Sequence, residues 1–223
     1  MELTRNTIEV LQNFATINGN MLFKPGNVIR SLSDSSAVVG RAEIDIEIPK
    51  EFGIYDLHEF LGVIGLVDNP VLNFQKDYVQ VEDGSGRSRT RYYYTDSSML
   101  KYPPKDITMP DADVKFELDR DTMAKLSKAA STLKYTEITI TPNDGINLSV
   151  TDSDSSTSHT YSIDVAGQYD TNADFKFIID IGNLKLLPGD YEVSLSQKFI
   201  SQFKHTTRDV CYWVAMEKSS NYQ

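Results

Sequence analysis

Three histidines, His58, His159 and His205, are the side chains suited to proton transfer near neutral pH, and they are scattered singly along the chain. None stands beside another ligand at a spacing that a metal site uses. The run DSDSSTSHTYSI, from Asp152 to Ile163, begins as a calcium loop does, with oxygen donors at Asp152, Asp154 and Ser156. It then fails where such a loop is strictest. Thr157 stands where the sharp turn needs glycine, and Ile163 stands where a bidentate glutamate closes the shell. The stretch GSGRSR from Gly84 lacks the Lys-Ser/Thr pair of a phosphate loop and reads as a hairpin tip. The single cysteine, Cys211, sits in the apolar run VCYWVAME and reads as a core thiol, in keeping with a reducing cytosol. Residues able to do chemistry are present but do not converge, so no catalytic residue, metal or cofactor is expected.

Charge remains as a source of function. The chain carries 22 Lys and Arg against 32 Asp and Glu, a formal net charge of −10. Such a balance argues against a protein that grips nucleic acid over its whole surface. Yet Arg5 and Arg120 occupy equivalent places in two nearly identical words, ELTRNT from Glu2 and ELDRDT from Glu117. Beyond those words Leu11 and Ala15 meet Leu126 and Ala130 at the same offset.

The elements around these words repeat as well. Thr4–Ile17 has helical period, with Thr7, Ile8, Val10, Leu11, Phe14 and Ala15 on one arc, Arg5 on the other, and Thr4 as N-cap. NMLFKPGNVIRSLS reads as a hairpin about Pro25-Gly26, and VVGRAEIDIEI as a half-buried strand with Ala42, Ile44, Ile46 and Ile48 inward. YDLHEFLGVIGLV predicts a second helix starting near Asp56, and strands follow at VLNFQ, DYVQVE and RTRYYYT. The second half runs in the same order. It has a helix with Asp119 as N-cap, a hairpin with an Asp-Gly turn in TEITITPNDGINLSV, and an alternating strand in SHTYSIDVA. FKFIIDIGNLKLLPG then passes from a strand into a short fourth helix bearing Lys185, and DYEVSLS, KFISQFK and CYWVAME close with strands. The proline-rich MLKYPPKDITMP between the halves reads as a connector. With 223 residues and 40% apolar content, the chain suits two domains of about 100 residues. It has no apolar run long enough to span a membrane, and its beginning, charged at Glu2, lacks a signal-peptide core.

Several words resemble the sliding clamp of T-even-type bacteriophages, the DNA polymerase processivity factor. They are LQNFATIN at Leu11–Asn18, IYDLHEFLG at Ile54–Gly62, LPGDY at Leu187–Tyr191 and YWVAME at Tyr212–Glu217. The resemblance implies an α+β fold of tandem duplicated clamp-type domains, residues 1–108 and 109–223, each an antiparallel sheet with two helices. It implies a homotrimeric ring, closed by pairing of edge strands, that encircles double-stranded DNA and tethers the replicative polymerase without catalysis. In such a ring the helices line the hole, so Arg5, Arg120, Lys125, Lys128 and Lys185 are expected to face phosphates. The partners it implies are a polymerase C-terminal peptide, a clamp loader and a late sigma-like transcription factor, acting in the cytoplasm of an infected bacterium. The peptide pocket is expected near the connector, at Leu100 and Tyr102, with Trp213 as either an anchor point or a core residue. Arg87, Arg89 and Arg91 share one face of a strand by their period of two, opposite Thr90, Tyr92 and Tyr94; they read as a solvated strand or as a secondary contact to DNA or loader. A structural virion or scaffold protein of duplicated domains, and a small-molecule-binding α+β protein, are the alternatives.

Overall fold

The computed structural model describes residues 1–152 and 157–223. The chain divides into two compact units, Met1–Asp106 and Ile107–Gln223. In the first, α1 (Arg5–Ile17) begins where the Thr4 hydroxyl accepts the Thr7 N–H at 3.0 Å, and it buries Thr7, Val10, Leu11, Phe14, Ala15 and Ile17. The strands β1 (Met21–Phe23), β2 (Gly26–Leu32), β3 (Val38–Ile48) and β4 (Phe52–Ile54) follow. Then α2 (Leu57–Ile64) starts where the Asp56 carboxylate accepts the Glu59 N–H at 2.9 Å, and it buries Leu57, Phe60 and Ile64. The unit ends in an antiparallel meander of β5 (Val71–Phe74), β6 (Tyr78–Glu82) and β7 (Arg89–Tyr93).

The second unit opens with β8 (Val114–Leu118) and α3 (Arg120–Leu133), whose N-cap Asp119 accepts the Thr122 N–H at 2.7 Å. The strands β9 (Glu137–Pro142), β10 (Ile146–Val150), β11 (Tyr161–Val165), β12 (Gly167–Tyr169) and β13 (Phe175–Asp180) come next. After a 3₁₀ turn at Ile181–Asn183 come β14 (Tyr191–Ser196), β15 (Ile200–His205), β16 (Val210–Ala215) and β17 (Asn221–Tyr222).

The duplication extends to the hydrogen-bonded pairs inside each unit. The antiparallel pairing of β1 with β4 recurs as β9 with β13, that of β2 with β3 as β10 with β11, and the β5–β6–β7 meander as β14–β15–β16. Even the single bridge between Glu2 and Val71 has its counterpart, since Glu117 lies across from Glu192 in the β8–β14 pair. Two copies of one antiparallel α+β unit are what the repeated words required.

Three local expectations differ from the structure. Pro25-Gly26 does not close a hairpin. β1 pairs with β4 instead, where the Phe23 ring stacks on Phe52 at 4.7 Å and 10°, and β2 pairs with β3. An aromatic pair in the core outweighs the local turn signal, and Gly26, at φ 112°, lets the chain pass from one pair to the other. The fourth helix, and with it the second helix of the second unit, is only the 3₁₀ turn at Ile181–Asn183. Asp180 caps Gly182, the glycine weakens propagation, and Pro188 stops the segment before an apolar stripe like that of α2 accumulates. β8 has no counterpart among the strands expected from the sequence. Its alternation of buried Val114, Phe116 and Leu118 with exposed Lys115 and Glu117 is plain once the partners β12 and β14 are known.

The caps and the buried stripe make separable contributions to stability. Asp119→Ala should cost about 1 kcal/mol by leaving a helix N–H unpaired. Leu126→Ala, at a site 1% exposed, should cost about 2–5 kcal/mol. Urea unfolding of both variants checks this, and equal midpoints for Asp119→Ala and the parent would remove the cap from the account.

Candidate nucleic-acid and partner interfaces

Helix α3 is pinned at its N-terminus from two sides. Asp119 takes the Thr122 N–H, and the carboxylate of Asp190, in the loop before β14, takes the backbone N–H of Arg120 at 2.8 Å. The Thr122 hydrogen bonds hold the Asp119 carboxyl below the usual carboxylate range. Thr122, Leu126 and Ala130 form the buried stripe, which lies against β10 and β11. The helical period then fixes what points away. Arg120, Asp121, Ala124, Lys125 and Lys128 are all exposed, three cations against one acid. Lys134, the left-handed C-cap at φ 61°, is exposed too and adds a cation that the periodicity could not place, because it lies beyond the last helical residue.

The other expected DNA-facing residues differ in setting. Arg5 is 93% exposed on α1 but forms an ion pair with Glu9, one turn on, at 3.1 Å. The rest of that face is Gln12, Asn13 and Thr16, so beyond the Arg5–Glu9 pair α1 presents a polar, uncharged surface. Lys185 is exposed in the irregular segment after the 3₁₀ turn rather than on a helix.

The loop holding Asp190 is braced by His205. The ring lies so close to Gly189 that a Cβ there would come within 2.1 Å of Nε2, and it meets the Tyr191 ring edge-on at 5.1 Å. His205 is 5% exposed, and its Nδ1 accepts the Thr207 N–H at 3.2 Å. Burial is the main cause that pulls its pKa down; the Pro188 carbonyl opposes it, the nearby Arg208 charge acts in the same direction as burial, and the Asp190 charge opposes it.

The connector residues of the first unit separate into core and surface. Leu100 is 8% exposed and lies over Gly53, so the expectation of an exposed anchor fails for it: it is a packing residue. Tyr102 is half-buried and, with Leu22, Val28 and Pro103, walls a cavity of about 190 Å³. Trp213, in β16 of the second unit, is 8% exposed and reads as core. Cys211 beside it is half-buried.

Among the described residues several strands end their sheets, β2, β5 and β7 in the first unit and β11, β12 and β17 in the second, and two of them carry exposed charge of opposite sign. β7 pairs only with β6 in its sheet and shows Arg89, Arg91 and Tyr93 on the exposed face, with the Arg91 guanidinium 5.2 Å from the centre of the Tyr78 ring. Arg87 precedes the strand, in the loop whose N–H groups converge on Asp83. β11 pairs only with β10 and shows Ser162 and Asp164. Asn147 at 2.7 Å and Asn143 at 3.0 Å hold the Asp164 carboxyl below its ordinary pKa. Among the described residues no group of three His, Cys, Asp or Glu is placed to hold a metal ion. The calcium-loop reading falls in part on Asp154 and Ser156, which lie outside the described residues. No helix is long and apolar enough to cross a membrane.

Comparison with known proteins covers nearly the whole chain. A family model described as "gp45 sliding clamp, C terminal" matches residues 115–218, and one described as "DNA polymerase processivity factor" matches residues 4–99. The sliding clamp of Vibrio phage KVP40 is 34% identical over 223 residues, covering 97% of this chain and 99% of that one. The sliding clamp of Escherichia phage RB69 is 30% identical over 230 residues, covering 100% and 99%, and that of Enterobacteria phage T4 is 30% identical over 202 residues, covering 89% and 88%. Among solved structures, the proliferating cellular nuclear antigen of Entamoeba histolytica superposes with a TM-score of 0.71 at 16% identity, over 94% of each chain. The PCNA2–PCNA3 complex of Sulfolobus tokodaii gives 0.67 at 13% identity, over 94% of this chain and 95% of that one.

His205 supplies a pH test of the brace. An unfolded chain takes up a proton at the ordinary histidine value of about 6.5, and the folded chain resists it. The stabilising contribution is therefore full above that value and declines as pH falls through it toward the lowered folded value. The loss of stability between pH 7.5 and 5.5, read by urea unfolding, should be smaller in His205→Gln than in the parent. Equal losses would show that His205 is not the titrating group.

Proposed function

This chain belongs to the bacteriophage sliding-clamp family of DNA polymerase processivity factors, which are not enzymes, and from that premise we propose that three copies close head to tail into a ring around duplex DNA. The observation that carries this reading is a pair of edge strands, one in each unit, whose exposed charges are opposite. A strand with unpaired N–H and C=O groups invites another strand. β7 of one copy and β11 of the next are complementary in charge, with Arg89 and Arg91 on the first and Asp164 on the second. Because each joint uses two different edges of the chain, the contact is heterologous and must close as a ring or run on as a filament.

In the ring, α3 turns Arg120, Lys125 and Lys128 toward the phosphates, with Arg5 and Lys185 at the same hole. A few mobile cations on long side chains, in a chain of net charge −10, favour loose contact at every register over anchoring at one. Topology then supplies the retention, and no base is read. Towed partners dock outside the hole. We assign the polymerase C-terminal peptide to the cavity at Tyr102, with the clamp loader and a late sigma-like transcription factor as further partners, in the cytoplasm of the infected host. One cavity per copy gives three per ring.

Three outcomes test the reading. Addition of clamp and loader should lengthen polymerase products on a long primed template. Arg120→Glu with Lys128→Glu should reduce loading at unchanged trimer mass; equal loading would remove these residues from the assignment. Arg89→Glu with Arg91→Glu should shift the mass in solution from trimer toward monomer. A mass unchanged from the parent would place the joint elsewhere.

A further inference from the structure

The cavity at Tyr102 lies in the first unit and combines apolar and basic residues. Leu22, Val28, Tyr102, Pro103 and Pro104 give it an apolar and aromatic part, but most of the surface it offers is polar and its charge is mainly basic. The Lys24 ammonium sits 5.3 Å from the centre of the Tyr102 ring, and Lys105 and Arg30 stand beside it. The only acid on the rim is Asp106, whose carboxylate accepts the Arg30 Nε–H at 2.6 Å. Three cations and one acid gather here in a protein of net charge −10. The volume, about 190 Å³, is that of roughly six waters, enough for one large side chain.

The Arg30–Asp106 pair joins a strand of the sheet to the proline-flanked end of the unit. Arg30 is held in β2 with its side chain 27% exposed, whereas the Asp106 side chain is 66% exposed at the end of the loop Pro103-Pro104-Lys105. The fixed partner is the guanidinium and the replaceable one is the carboxylate. An exposed ion pair of this kind contributes little to stability, so exchanging one carboxylate for another costs little. The Arg30 hydrogen bond, aided by the charges of Arg30, Arg41 and Lys24, holds the Asp106 carboxyl below its usual range, which marks the spot as one that favours negative charge.

Resting on the assignment of a partner peptide to this cavity, we infer that the cavity selects a peptide presenting a carboxylate next to one large apolar side chain, and that Asp106 occupies the carboxylate position until the peptide displaces it. The apolar side chain enters between Leu22, Val28, Tyr102 and Pro103. The carboxylate, from a chain end or an acidic residue, reaches Arg30 and Lys24. Asp106 is then a competitor built into the chain, and it lowers the affinity for every acidic partner by the same factor. Partners that share the clamp in turn benefit from a site that is never tightly filled.

The test is a titration of the whole clamp with a labelled synthetic peptide ending Glu-Glu-Leu-Phe, as the free acid and as the C-terminal amide with both glutamates replaced by glutamine. The parent should bind the acidic form at least about tenfold more tightly. Asp106→Asn should tighten the acidic form about three- to tenfold and leave the neutral form unchanged. Lys24→Glu should abolish the preference, and Tyr102→Ala should weaken both forms. Equal affinity of the two forms for the parent, or no gain in Asp106→Asn, overturns the inference. So does displacement of the peptide by inorganic phosphate at the same concentration as by free peptide, which would make this a plain anion site. Trimer mass and retention on closed circular DNA do not use the cavity. If they hold while the preference fails, the cavity inference falls and the ring reading stands.

Discussion

Each unit rests on one constraint: an amphipathic helix must bury a stripe against one face of an antiparallel sheet, and whatever its sequence places opposite that stripe is thereby aimed at solvent. On α3 the stripe is narrow, Thr122, Leu126 and Ala130, and the remainder is free to carry charge. On α1 the stripe is broad, reaching Phe14 and Ile17, and the remainder is uncharged apart from the Arg5–Glu9 pair. The two helices descend from one repeated word, yet only the second presents a clear excess of positive charge. The caps enforce this orientation. Asp119 and Asp190 fix the first turn of α3, and with it the direction in which Arg120 leaves the backbone.

What was legible in the sequence is what local chemistry decides. The starts of α1, α2 and α3 follow from Thr4, Asp56 and Asp119, three side chains that each accept an N–H three residues on. The β9–β10 turn follows from Asn143-Asp144-Gly145, in which the last two residues have positive φ. The period of two in Arg89 and Arg91 placed both on one face of β7. What was not legible depends on partners distant in sequence. β8 exists because β14 and β12 flank it, whereas the corresponding stretch of the first unit makes only the Glu2 bridge. β1 leaves its neighbour β2 for Phe52. The basic cavity needs Arg30 and Asp106, which stand 76 residues apart, and no motif joins them. Leu100 looked like a surface anchor because it sits among prolines, and only the backbone of Gly53 beneath it reveals a core position.

The electrostatics follow a division of labour. The chain is acidic as a whole, which limits unspecific adhesion to a polyanion, and its cations gather in small groups with separate tasks. In the proposed ring the exposed face of α3 is the one that meets phosphates, weakly; the β7 edge carries arginines suited to a polar joint, and the rim of the Tyr102 cavity is the one assigned to acidic peptides. None of these groups is large enough to anchor the protein to DNA, and a processive tether must not be anchored.

The central claim is that retention on DNA is topological. It is tested most directly by loading labelled clamp onto closed circular duplex with loader and ATP, removing free protein, and then cutting the circle once with a restriction enzyme. The account predicts that clamp stays on the closed circle and is lost promptly after the cut, with little dependence on DNA sequence. Loss at the same rate from cut and uncut DNA would contradict it, because the protein would then be held by contact rather than by enclosure.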